Sequence, residues 1–303
     1  MHRVAPALVV SLALAAGPAA AATVDVPYGA ASPVIGTGTR WWAQSRLFDF
    51  DTTYAYGDNA VTVYGQWRAD ALYLAAEVAD TLLYATHTPR DSALTWENDG
   101  IELFFDLALT GGNTIGPGDQ TFRQYIFTIA SGLFDAYGGC DTADTTFNGN
   151  ATFYATVDGT LNGSGAGFVI EAKIPWADLG LNPHAGLTFG FDVANDDKDD
   201  FNQGSAIIEA DWAQLGTTFA QPGQWNQLRL AGGPDGGVAD GGAAADAAAH
   251  GDGGGGGTPV NPGGNLPQPS AGCSCRAGGA PVSGGLLALA LGLGSLARRR
   301  RRG

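Results

Sequence analysis

Apolar residues recur at every second position in VTVYGQW, ALYLAAEV, GIELFFDLAL, FRQYIFTIA, GFVIEAKI, LTFGFDVA and WNQLRL, between residues 61 and 230. A helix repeats every 3.6 residues and a strand every two, so this pattern fits half-buried strands and misfits helices. Gly, Asn, Asp and Pro clusters separate the runs, and no amphipathic helix of any length competes. Many short strands punctuated by turn residues predict an all-β antiparallel β-sandwich, immunoglobulin or jelly-roll-like. No internal repeat points to a propeller or solenoid.

The ends of the 303-residue chain read differently. MHRVAPALVVSLALAAGPAAAA has a basic start, an apolar run and small residues before Thr23, the pattern of a secretory signal peptide over residues 1–22. Residues 23–231 form the predicted sandwich. Residues 232–271 are rich in Gly, Ala, Asp and Pro and lack aromatic side chains, so they bury too little apolar surface to offset chain entropy and read as a flexible linker. Residues 272–303 combine GCSCR, an apolar segment and five consecutive arginines. That arrangement resembles the MYXO-CTERM sorting tail of exported proteins. The resemblance implies recognition by export and C-terminal processing machinery, with Cys273 or Cys275 as the processed position and the cell surface, outer membrane or extracellular space as destination. An ordinary C-terminal membrane helix is the competing reading.

The formal net charge is −15. A surface this acidic repels nucleic acid and anionic lipid, and favours calcium or neutral partners. Cys140 stands alone in the sandwich region, so no internal disulfide is expected there, nor a CxxC zinc or redox site. The domain is expected to be monomeric.

Chemistry concentrates at TWENDGIELFFD, from Thr95 to Asp106. Alternation puts Ile101, Leu103, Phe105 and Leu107 on one side and Glu102, Phe104 and Asp106 on the other. In FRQYIFTIA, Arg123, Tyr125 and Phe127 share a side opposite Phe122 and Ile126. Trp96 reads as an exposed ring at the strand mouth. Indole stacks on the C–H face of a sugar while charged or amide groups bond its hydroxyls, and Trp96, Glu102 and Arg123 supply both kinds of group. Each also has a plainer role open to it: Trp96 as a core plug, Glu102 and Arg123 as a cross-strand ion pair.

The stretches ADALYLAAEVADTLL, LTWENDGIELFFD, FVIEAKIPWADLGLNPHAGLTFGFDVANDD, DWAQ and PGQWNQLRL together resemble a family 9 carbohydrate-binding module with a DOMON-like sandwich, over residues 33 to 231. The resemblance implies non-catalytic binding of a cellulose- or xylan-derived sugar between two tryptophans, with a glutamate and an arginine on its hydroxyls. By position Trp96 matches the first tryptophan, Glu102 the glutamate and Arg123 the arginine. Trp212, in IEADWAQ, is taken as the second tryptophan, with Trp225 as its alternative. The family also implies structural calcium. Asp80, Asp99, Asp192 and Asp196 are the expected ligands, with Asn195, Asp197 and Asp199 nearby, although NDDKDD is not an EF-hand loop. In IPWADLG, Trp176 reads as core and Asp178 as the start of a helical turn.

Three rival functions remain. A glycoside hydrolase needs two carboxyl groups about 5–9.5 Å apart, and Glu102 and Asp106 sit roughly 13 Å apart along a strand. A haem-binding DOMON domain lacks a methionine ligand outside the signal peptide and would have to use His87 and His184, so no haem is expected. A structural or adhesive surface protein with a degenerate sugar site is the third.

Overall fold

The structure, a computed structural model, describes residues 21–51, 59–110, 115–116, 118–138, 143–199, 208–215 and 221–233. Most of the signal peptide, nearly all of the linker, the whole tail with Cys273 and Cys275, and Cys140 lie outside the described residues.

The strands are β1 (Thr23–Pro27), β2 (Arg46–Asp51), β3 (Ala60–Trp67), β4 (Ala71–Ala79), β5 (Leu82–Leu83), β6 (Gly100–Asp106), β7 (Phe122–Thr128), β8 (Leu133–Tyr137), β9 (Thr152–Gly159), β10 (Gly163–Pro175), β11 (Thr188–Asp197), β12 (Ile208–Asp211) and β13 (Asn226–Ala231). A single helical turn, α1 (Trp176–Leu179), follows β10. It starts two residues earlier than Asp178, because Pro175 ends the strand, and Gly180 closes it in the left-handed region at φ 66°.

Two sheets stack face to face. The first runs β1-β13-β11-β6-β7-β8 with β12 beside β11, and the second runs β2-β3-β4-β10-β5 with β9 beside β10. Among the described residues, every pairing between these strands is antiparallel except β1 with β13, which is parallel in the register Thr23↔Gln227 to Pro27↔Ala231.

Alternation decides what lies between the sheets. Ile101, Leu103, Phe105, Tyr125, Phe127, Phe189, Phe191 and Val193 from the first meet Val61, Val63, Leu72, Leu74, Phe168 and Ile170 from the second in one buried cluster. Trp176 joins it as expected, 3% exposed, its indole N–H donating to the Arg68 carbonyl at 2.7 Å. At about 25 cal/mol per Å² of apolar surface, this core is the main source of stability. Each sheet is left with an outer face, and the two outer faces differ.

Candidate functional site

Directly opposed residues in an antiparallel pair share a face. Glu102 opposes Ile126 on β7 and Ala194 on β11, while Phe104 opposes Gln124 and Asp192. Glu102 and Gln124 therefore stand side by side on the outer face of the first sheet. The Gln124 amide donates to Glu102 Oε2 at 3.0 Å.

Two apolar clusters flank this pair. Trp96, in a 3₁₀ turn at Thr95–Glu97, packs with Ile126, Phe134 and Ala136. Trp225 packs with Phe104, Phe122 and Ala194, its ring 5.6 Å from Phe104 and 5.9 Å from Phe122. The sheet thus carries two indoles with a carboxyl and a carboxamide between their clusters.

The structure corrects three expectations about this face. Trp96 is only 8% exposed, and its indole N–H donates to the Ala93 carbonyl at 3.0 Å, so it is not an open ring. Trp212 points between the sheets because it follows the outward Asp211 by one residue. There it stacks on Phe48 at 3.7 Å and packs against the main core. The tryptophan on the outer face is its alternative, Trp225.

Arg123 opposes Phe105, an inward residue, and so is separated from Glu102 by the sheet itself. Its guanidinium donates to the carbonyls of Asp178, Gln120 and Phe122 and lies 4.2 Å over the Tyr137 ring. Sequence reasoning passed over Gln124, one residue on. The signal was available in the period of two, once β6 and β7 are paired as neighbours.

The face is strongly acidic. Asp196 lies beyond Glu102 along β11, opposite Gly100 and Glu209. Burial pushes the Glu102 carboxyl up to about 7 and Asp196 well above the carboxylate range, the latter helped by the charges of Glu102 and Glu209. The like charges of these buried carboxyls repel, which favours the protonated form. Asp106 instead caps a turn, accepting from the Ala108 and Thr110 amides at 3.2 and 3.0 Å.

The expected calcium ligands do not gather into one group. Asp192 accepts from the Ala213 amide at 3.1 Å, and Asp196 belongs with Glu102. Asp99 accepts from the backbone amides of Tyr84 and Lys198, and burial with the nearby charge of Asp80 pushes it up to about 9. Asp80 meets Asp197 and Asp199 instead, each offering an oxygen within 4.8 Å of the others, the first two buried. Three hard oxygens at that spacing fit calcium, which takes six to eight.

A family profile described as carbohydrate family 9 binding domain-like matches residues 37–233. No curated protein matches the chain. Among solved structures, a family 9 carbohydrate-binding module from Caldicellulosiruptor kristjanssonii in complex with glucose is 22% identical, covering 69% of this chain and 95% of that one at a TM-score of 0.49. Its complex with cellotriose is 22% identical over 69% and 93%, with a TM-score of 0.46. A candidate carbohydrate-binding protein from Bacteroides uniformis is 15% identical over 70% and 100%, with a TM-score of 0.52, a likeness of fold.

Proposed function

This chain belongs to the carbohydrate family 9 binding domain-like family, and from that premise we propose that its sandwich binds a neutral sugar without cleaving it. The observation that carries the reading is the placement of Glu102 and Gln124 on one sheet face between the clusters of Trp96 and Trp225. The indoles stack on the sugar ring, the Gln124 amide and the Glu102 carboxyl bond its hydroxyls, and the surrounding apolar residues exclude water. Both indoles are buried here, so a ligand reaches them only when the packing around Trp96 and Trp225 opens. Calcium, held by Asp80, Asp197 and Asp199, offsets the repulsion among these carboxylates and fixes the end of β11.

In the same proposal the protein is exported, processed or anchored through its tail at Cys273 or Cys275, and displayed at the surface or released. There it holds a cell, or a hydrolase, against a cellulose- or xylan-like glycan.

Calorimetric titration with cellobiose, xylobiose and glucose, with calcium and then with chelator, tests the reading. Saturable binding that Trp96→Ala removes supports it. The near-complete burial of Trp96, Trp225 and Glu102 favours one alternative, a structural or adhesive module whose outer face serves packing. Heats of zero for all three sugars in folded protein would select that alternative.

A further inference from the structure

The outer face of the second sheet carries Tyr64 and Gln66 of β3, Tyr73 and Glu77 of β4, Glu171 and Lys173 of β10, and Tyr154 of β9, all alternating with core residues. The segment from residue 36 to residue 42, GTGTRWW, lies across this face. Gly36 begins the crossing at φ 72°, directly over the Tyr154 ring, where a Cβ would come within 2.8 Å of it. Its amide donates to Glu171 at 3.3 Å, and Arg40 pairs with Glu77.

Trp41 is fixed on this platform. Its indole N–H donates to Glu171 Oε2 at 2.8 Å, and its ring meets Trp42 and Tyr73 edge-on at 5.6 and 6.2 Å. The side chain is only half-buried. It lines a groove of about 560 Å³ together with Ser32, Val34, Thr37, Thr39 and Gln66.

We propose that this groove is a second carbohydrate site, taking a neutral pyranose chain stacked on Trp41. Three features point to that ligand class. The volume lies within the range of about 300–1,000 Å³ usual for small-molecule sites. Among the described residues, none that lines the groove carries a formal charge, which disfavours ionic ligands, while hydroxyls and an amide stand beside the indole.

The amide is also oriented. Gln66 Nε2 donates to the Ala31 carbonyl at 3.1 Å, which turns its carbonyl oxygen into the acceptor it offers a ligand. Gly29 leaves the space for it, since a Cβ there would stand 2.5 Å from Gln66 Cδ. With the ring pinned by Glu171 and the amide by Ala31, little side-chain entropy is left to lose on binding.

The site shares its ligand class with the proposed function but none of its residues, and it lies on the opposite side of the sandwich. A protein with both sites bridges two glycan chains instead of gripping one, a gain in avidity that depends on geometry.

The test follows the indole ¹⁵N–¹H resonance of Trp41 in the full chain during titration with cellotetraose and xylotetraose. The expected result is a saturable shift with one of them at a Kd on the order of 0.01–1 mM. Gln66→Ala, which leaves the Trp41 to Glu171 bond in place, is expected to raise that Kd at least about threefold, and Trp41→Ala to abolish the binding event. A folded protein whose Trp41 resonance stays still in both titrations overturns the proposal. So does a resonance that answers a proline-rich peptide and neither sugar. Because the Trp96 resonance reports the other face, the failure of this site and the failure of the proposed function are read from different signals.

Discussion

The two outer faces of the sandwich are built from the same alternation, yet one is acidic and closed and the other neutral and open. On the first sheet Glu102, Asp192, Asp196 and Asp211 are at most 2% exposed, and the indoles beside them are covered. On the second, the charged side chains are paired beneath or beside the crossing segment, and the exposed groove is left to an indole, hydroxyls and an amide. On the first face burial raises Glu102 and Asp196, whereas on the second Tyr64, Tyr73 and Lys173 are raised beside the groove, by burial or by their bonds to Glu77 and Asp70.

The contrast predicts unequal consequences for the same substitution. Trp96→Ala empties a buried position and should cost about 3–5 kcal/mol of stability, as large-to-Ala changes in cores do. Trp41→Ala removes a half-buried ring and should cost clearly less, on the order of 1–2 kcal/mol. Urea denaturation of the two variants measures both, and equal losses would erase the distinction between the faces.

Calcium comes next. At a free concentration of about 100 times its Kd, one bound ion adds roughly 2.7 kcal/mol. Thermal unfolding should therefore move upward with calcium and return with chelator, and Asp197→Asn should remove the response. An unresponsive wild-type protein would leave Asp80, Asp197 and Asp199 as an acidic cluster with no role in holding an ion.

The pH dependence should divide the faces as well. Glu102 is raised from 4.5 to about 7, so between those values the native protein holds a proton that the unfolded chain has released. Its contribution to stability is fully present below pH 4.5 and is lost as pH rises through about 7. Glu102→Gln should flatten stability across that window, seen as a smaller change in the urea midpoint from pH 5 to 8. Sugar binding at the Trp41 groove, whose described lining residues do not titrate, should hold constant over the same range.

The smallest effect is expected from Arg123→Lys. It loses carbonyl partners and the contact with Tyr137, lowering stability by about 1–2 kcal/mol, while sugar affinity at the first face should change less than about twofold. A large loss of affinity would return Arg123 to the binding site.

Alternation within each run made the sandwich legible, because a strand's own residues fix which of its faces is buried. It could not say which strands are neighbours. Arg123 was grouped with Glu102 for chemical reasons, and only the pairing of Phe105 with Arg123 sends them to opposite sides. Trp212 was misplaced for a related reason, since one residue of phase after Asp211 decides between core and outer face. The parallel pairing of β1 with β13, and the meeting of Asp80 with Asp197, join residues more than a hundred positions apart and leave no local trace. TRWW gives no sign of a groove in the sequence, because the groove belongs to the sheet beneath as much as to the segment.

The parallel pair has a mechanical meaning too. β13 lies between β1 and β11 and is bonded to both. A pull along the axis of β13 loads both ladders in shear, so their hydrogen bonds resist together instead of opening one at a time. A force in that direction meets two ladders where an edge strand would offer one.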